Sequence, residues 1–320
     1  MRGWIHMIID GHCDAILKLF LDPKTRFDSD RVKMQASAPL LAEGDVKLQL
    51  FAIFIDDEMP NHKFHHMLQY IDLFYEQVAS HPEFHVVRSG QDLAAVMASS
   101  KRGALLTIEG ADTLMGDPML LRTVYRLGVR AIGLTWNYAN WAADGANEPR
   151  KGGLTLLGRQ FVKECNQLGM MIDVSHLSEK AFWDVAEAST KPFFASHSNA
   201  IQICQHQRNL TNDQIQELIR IDGIMGLNFV PYFVTNEKTV SIKDILKHID
   251  HVCALGGVNH IGFGADFDGI TQFIPGLLNA GDYQNLAEEL YKRYQKEEVE
   301  GFLHKNWMRY LHKNLPKDRN

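Results

Sequence analysis

The sequence is short of several things, and each shortage narrows the field. Four cysteines in 320 residues, Cys13, Cys165, Cys204 and Cys253, stand far apart without a Cys-x-x-Cys pair. Neither a zinc ribbon nor a disulfide framework is indicated, and they read as reduced core residues of a cytoplasmic protein. No apolar run reaches the roughly 18 residues that a membrane-spanning helix needs. The opening "MRGWIHMIID" carries only a short apolar stretch, and the closing "LHKNLPKDRN" is charged and polar, so neither a secretory signal nor a lipid-anchor signal is expected. No block of Lys and Arg is present, and the formal net charge is -6. Nucleic acid and anionic membrane are therefore not expected as partners, and the substrate should be small. Neither G-x-G-x-x-G nor G-x-x-x-x-G-K-[ST] occurs, which leaves a nucleotide cofactor unsupported.

What is present is an ordinary globular composition, 45% hydrophobic and 22% charged, which excludes disorder and coiled coil as descriptions of the whole. No linker, repeat or low-complexity tract divides the chain. Residues 1–320 read as one domain, with a C-terminal helical extension. Eight short apolar runs recur along it: "MIID", "LQLFAIFI", "ALLTIEG", "AIGLTWN", "MMIDVSH", "FFASHS", "IMGLNF" and "HIGFGADF". Helical signals lie between them. Phe64, Met67, Leu68, Ile71, Tyr75 and Val78 follow a helical period, as do Leu157, Phe161, Cys165 and Leu168 before Gly169. Pro118 after Asp117 suits a first helical turn, Thr211 with Gln214 makes a capping box, and Ser241 with Asp244 a looser one. Residues 15–47 read as a long loop with short helical pieces. Strands alternating with helices imply a parallel sheet, and eight such units match a closed (β/α)8 TIM barrel of the metal-dependent hydrolase type better than an open doubly wound sheet.

In such a barrel, side chains at the carboxyl ends of the strands build the site. In an extended chain His12 and Asp14 share a face while Cys13 points away, which is suitable geometry for two ligands of one ion. Glu109 closes "LLTIEG", His176 closes "IDVSH", His197 closes "FFASH", and Asp266 lies late in "GFGAD". Six ionisable groups thus converge on one rim. A carboxylate in Glu109's apolar context is costly to bury without a partner. Three histidines and three carboxylates exceed what one four-coordinate zinc needs, and a two-metal site with a bridging carboxylate and a shared water uses them economically. That chemistry suits amide hydrolysis. His62, His65 and His66 on an expected surface helix, and His304 and His312 further on, fall outside the pattern and are assigned no role.

The motifs "DGHCD", "IEG", "LTWN", "IDVSH", "SHSNA", "QRNLTND" and "GFGADFDG", in this order, resemble the membrane dipeptidase (renal dipeptidase, peptidase M19) family of amidohydrolase-like barrels over residues 7–315. The resemblance implies a dipeptidase with two Zn²⁺ per chain: His12 and Asp14 on one ion, His176 and His197 on the other, and Glu109 bridging. It implies that Asp266 takes a proton from the bridging water and passes it to the leaving amine. Arg208, in "QRNLTND", would hold the substrate carboxylate, consistent with the planar fork of a guanidinium. A dipeptide with a D-residue at its C-terminus is an expected substrate, with Tyr232 and Asn137 as further substrate contacts. Vertebrate members carry a histidine after "LT", where this chain has Trp136 and Asn137, so the donor to the developing oxyanion stays open. The expected protein is a soluble, bacterial-type member, with a homodimer as a possible assembly. Mn²⁺, Co²⁺ or Fe²⁺ could replace zinc in such a donor set. An N-acyl-D-amino acid or cyclic amide is the alternative substrate, and a non-catalytic metal-binding barrel the more distant one.

Overall fold

A computed structural model describes residues 7–55 and 64–318. Its strands are β1 (Ile8–Cys13), β2 (Val46–Phe54), β3 (Phe84–Val86), β4 (Arg102–Glu109), β5 (Val129–Gly133), β6 (Met171–Asp173), β7 (Met225–Leu227) and β8 (Ile261–Phe263). All pair in parallel, in the order β6-β5-β4-β2-β1-β8-β7, with β3 beside β4. The gap between β6 and β7 is closed by single parallel bridges, Asp173 to Phe194 and Ala195 to Met225. Helices cover the outside, as the alternating pattern requires.

Two details depart from the sequence expectation. "FFASHS" forms two bridging residues rather than a regular strand, because the backbone amides of Ser196 and His197 bond side chains, Asp173 Oδ1 and Ser175 Oγ, instead of a neighbouring strand. Strand β3 carries no signal in the sequence: three residues, one of them His85, leave no apolar run to read. The helical signals map closely. Leu156–Leu168 starts on Thr155 and ends at Gly169, whose φ of 80° is left-handed. Pro118–Arg126 is capped by Asp117, and both capping boxes form. The helix Phe64–Leu73 continues as a π-helical turn over Phe74–Ala79. His66 on it packs edge-on against Phe20 of the helix Ala15–Leu21, while His62 lies outside the described residues. The 15–47 stretch holds two short helices, Ala15–Leu21 and Ala38–Glu43.

Alternation along the strands divides the core in two. Ile8, Cys13, Phe51 and Ile53 face outward to the helices. Ile9, Leu48, Leu50, Leu105, Ala131 and Phe194 face inward and meet Trp307 and Tyr310 from the helix Asn306–Asn314. Trp307 enters the barrel from the amino-terminal end of the strands. A Cβ on Gly11 or Gly262 would stand 2.3 Å from its ring, so glycine at both positions is what lets the indole in. Its Nε1 donates to the Phe263 carbonyl at 3.1 Å. Among the described residues no helix is long and apolar enough to cross a membrane.

Candidate metal centre and active site

The strand ends deliver the ionisable groups to one point. His12 lies within β1 and Glu109 is the last residue of β4. His176 and Asp266 follow β6 and β8 by three residues, on turns where each takes a left-handed φ, 69° and 67°. A side chain there costs about 1–3 kcal/mol, so something must hold it. Two buried aspartates do so. Asp10 Oδ1 accepts from the amides of His12 and Ala265, tying β1 to the turn that carries Asp266. Asp173 Oδ1 accepts from Ser175 and Ser196, tying the His176 turn to the His197 segment. The His176 carbonyl is also bonded by the amide of Ala146 at 2.6 Å.

The ligand atoms then converge. His176 Nε2 and His197 Nε2 are 2.8 Å apart, and Glu109 Oε1 is 2.7 Å from the first and 3.6 Å from the second. His176 Nδ1–H donates to Asn137 Oδ1 at 2.9 Å, an oxygen with no proton to return. His197 Nδ1 meets the Ser196 hydroxyl at 2.7 Å, and that hydroxyl's proton points to Ser175 Oγ. Both imidazoles therefore carry their proton on Nδ1 and turn the Nε2 lone pair toward the other and toward a carboxylate oxygen. Two lone pairs and an anionic oxygen at such distances repel unless a cation lies between them. On the other side Glu109 Oε2 is 3.4 Å from His12 Nε2, which is 3.4 Å from Asp14 Oδ2 and 3.9 Å from Asp266 Oδ1. His12 Nε2 and Asp14 Oδ1 are buried and have no hydrogen-bond partner. The donor set fits divalent metal, and Glu109 presents one oxygen to each half.

Protonation follows from the same crowding. Burial lifts the Asp14 carboxyl to about 8, partly offset by His12, and lifts Asp266 as well. Burial lowers His176 to about 4, with the Arg208 charge adding to it, and holds His197 well below its ordinary value. Burial also opposes charge on His12 and Glu109, but each is the other's counter-ion: His12 stays well above its usual range and Glu109 well below.

A cavity of about 250 Å³ opens over these groups, walled by Leu17, Phe54, Trp136, Asn137, Asn147, His206, Val230, Tyr232, Phe233 and Ile270. Arg208 reaches it from the segment after His197. It is 4% exposed, its Nε has no partner, and it makes no ion pair among the described residues. Its guanidinium lies 5.7 Å from the Phe233 ring centre, and burial depresses it to about 10. A buried arginine without a carboxylate is held ready for one. Tyr232 is 52% exposed at the mouth. All nine residues singled out from sequence thus line or adjoin one cavity. His206, Phe233 and Asn228 were missed: the first two stand alone without a motif, and Asn228 sits inside an apolar run.

Residues 5–318 match the family model of the membrane dipeptidases, peptidase family M19. The chain belongs to that family. A dipeptidase, aclJ, of Aspergillus oryzae is 32% identical over 285 residues, spanning 83% of this chain and 66% of that protein. Among solved structures, dipeptidase AC, a metallopeptidase of family M19, superposes with a TM-score of 0.90 at 27% identity, over 98% of this chain and 99% of that one. A metallopeptidase from Rhodobacter sphaeroides, liganded with a phosphinate mimic of the dipeptide L-Ala-D-Ala, gives 0.86 at 26%, over 97% and 99%. Family M19 membership makes this chain a metal-dependent hydrolase of the dipeptidase class, built on the barrel shared with amidohydrolases.

Proposed function

We propose that the chain hydrolyses dipeptides, including those ending in a D-residue, with two zinc ions held by His12 and Asp14 on one side, by His176 and His197 on the other, and by Glu109 between. The observation that carries the reading is Glu109: one buried carboxylate with an oxygen on each of two ligand groups, at the floor of a cavity that also holds an unpaired arginine. Bound there, the ions would polarise the scissile carbonyl and acidify the attacking water.

The chain's own groups supply the rest. Arg208 pairs with the C-terminal carboxylate of the dipeptide, which fixes the scissile amide one residue away, over Glu109. Asp266 Oδ1, facing His12 and Asp14, accepts a proton from water as its oxygen bonds the carbonyl carbon. The carboxyl then gives that proton to the amine nitrogen as the C–N bond breaks. Asn137 spends its oxygen on orienting His176, which leaves its Nδ2–H as the group able to touch substrate. Tyr232 covers the cavity mouth. The Rhodobacter neighbour's ligand, a mimic of L-Ala-D-Ala, supports acceptance of a D-residue. We also infer that the whole chain works as one barrel unit, in the cytoplasm.

The test is hydrolysis of matched L-Xaa-L-Xaa and L-Xaa-D-Xaa dipeptides by protein analysed for bound zinc, against a chelated sample. Cleavage of both sets that is lost with the metal is the expected result. Intact dipeptides in the presence of protein carrying two zinc ions per chain would sink the reading.

A further inference from the structure

Asp266 is held by a neighbour. The Nδ2 of Asn228, one residue past β7, donates to Asp266 Oδ2 at 2.9 Å. Asn228 is fully buried, and its amide cannot turn over: its Oδ1 accepts from the Val230 amide at 2.5 Å. Its peptide is bracketed in turn by Asn199, whose Oδ1 accepts from the Asn228 amide and whose Nδ2 donates to the Asn228 carbonyl, both at 3.0 Å. Asn199 lies two residues past His197, so the stretch that offers an imidazole to the metal centre also fixes Asn228. The result is an N–H that faces Asp266 with no alternative orientation.

That polarity has a chemical consequence. An oxygen that accepts from N–H cannot also carry a proton pointing the same way, because two hydrogens would meet. We infer that Asn228 is a positioning residue that keeps Oδ2 of Asp266 bare, so that the proton taken from water lands on Oδ1 and is delivered from there to the leaving nitrogen. The inference rests on the dipeptidase reading and on Asp266 as its proton carrier. Without Asn228 the carboxyl is free to rotate and to hold its proton on the oxygen turned away from the substrate.

The experiment is a double-mutant cycle on the zinc-loaded enzyme with L-Ala-D-Ala, using Asn228→Ala, Asp266→Asn and the pair, with bound zinc and thermal midpoint measured for each. Asn228→Ala is expected to lower kcat roughly 10²-fold, with KM within about twofold and zinc unchanged. In the Asp266→Asn background it should cost nothing further. Asn228→Asp, which preserves shape and the Val230 contact but replaces the donor with an acceptor, should lose at least as much. A crystal structure of Asn228→Ala should show the Asp266 carboxyl rotated. Equal losses in both backgrounds, a rise in KM in place of the fall in kcat, or loss of zinc would overturn the inference while leaving the dipeptidase reading intact. Wild-type protein that holds two zinc ions and leaves every dipeptide whole overturns that reading, and this inference with it, before any variant is made.

Discussion

The two ends of the barrel are built on opposite rules from the same strands. At the amino-terminal end, Trp307, Tyr310 and Leu311 fill the interior against Ile9, Leu48 and Leu105, and the indole N–H has its acceptor. At the carboxyl end, His12 Nε2, Asp14 Oδ1 and Arg208 Nε are buried without partners. The indole N–H and the Tyr310 hydroxyl at one end are bonded to backbone carbonyls, while the polar atoms that face the cavity at the other end are left unmet. Unmet polar atoms at the rim are tolerable because the packed floor supplies the stability that they cost.

The contrast can be broken from either side. The largest effect is expected from Glu109→Gln, which removes the anionic oxygens from both halves of the centre. Metal affinity should fall by more than roughly 10²-fold at both sites and turnover with it, read by metal analysis after dialysis. The metal-free protein should also lose stability, since His12 is left buried without the counter-charge that holds it protonated. Arg208→Met should raise KM for a dipeptide by roughly 10²-fold or more, leave bound metal unchanged, and stabilise the substrate-free fold, measured by urea denaturation. A lower midpoint in this variant would mean that the arginine is a structural prop.

At the floor, Trp307→Ala should cost about 3–5 kcal/mol while kcat of the protein still folded stays near wild type. An equal fall in kcat would show that the floor tunes the rim. The smallest effect concerns His248, fully buried on the helix Ile242–Ala254, whose Nδ1 accepts from Ala200 and whose Nε2–H donates to Val234. Burial lowers it to about 4, below the value near 6.5 of the unfolded chain. Its contribution is full above pH 6.5 and drains away as pH falls toward 4, by about 3 kcal/mol at most. Chelated His248→Gln should therefore show a flatter stability profile between pH 6.5 and 4 than chelated wild type.

The proposed ligands were legible as candidates because each polar side chain follows an apolar run, where burying a charged group is costly unless a metal or a counter-charge offsets it. His12 and Asp14 came from a period of two, and Cys13 does point into the outer core. Arg208 was legible only through the motif around it, since a lone arginine in a loop has no spacing to read. The supporting groups were not legible at all. Asp10, Asp173, Asn199 and Asn228 sit inside or beside strand patterns, and what they do depends on amides up to 255 residues away. Trp307 reads from sequence as one apolar residue of an amphipathic helix, because the space that receives it is defined by Gly11 and Gly262 on other elements. The irregular 194–195 bridge escaped for the same reason: its hydrogen bonds go to side chains.

The place of Trp307 also sets a timetable for the chain's birth on the ribosome. Gly11 is translated well before its ring partner, which follows all the strands, so the inner core cannot close until residue 307 has emerged. Contacts this distant in sequence make for slow folding. Until then the half-made cylinder is hollow, with its inner apolar faces open to chaperones and to aggregation. Metal meets a finished centre only after synthesis has passed the tryptophan, so a chain truncated before it should be cleared by proteolysis rather than accumulate as a metal-binding fragment.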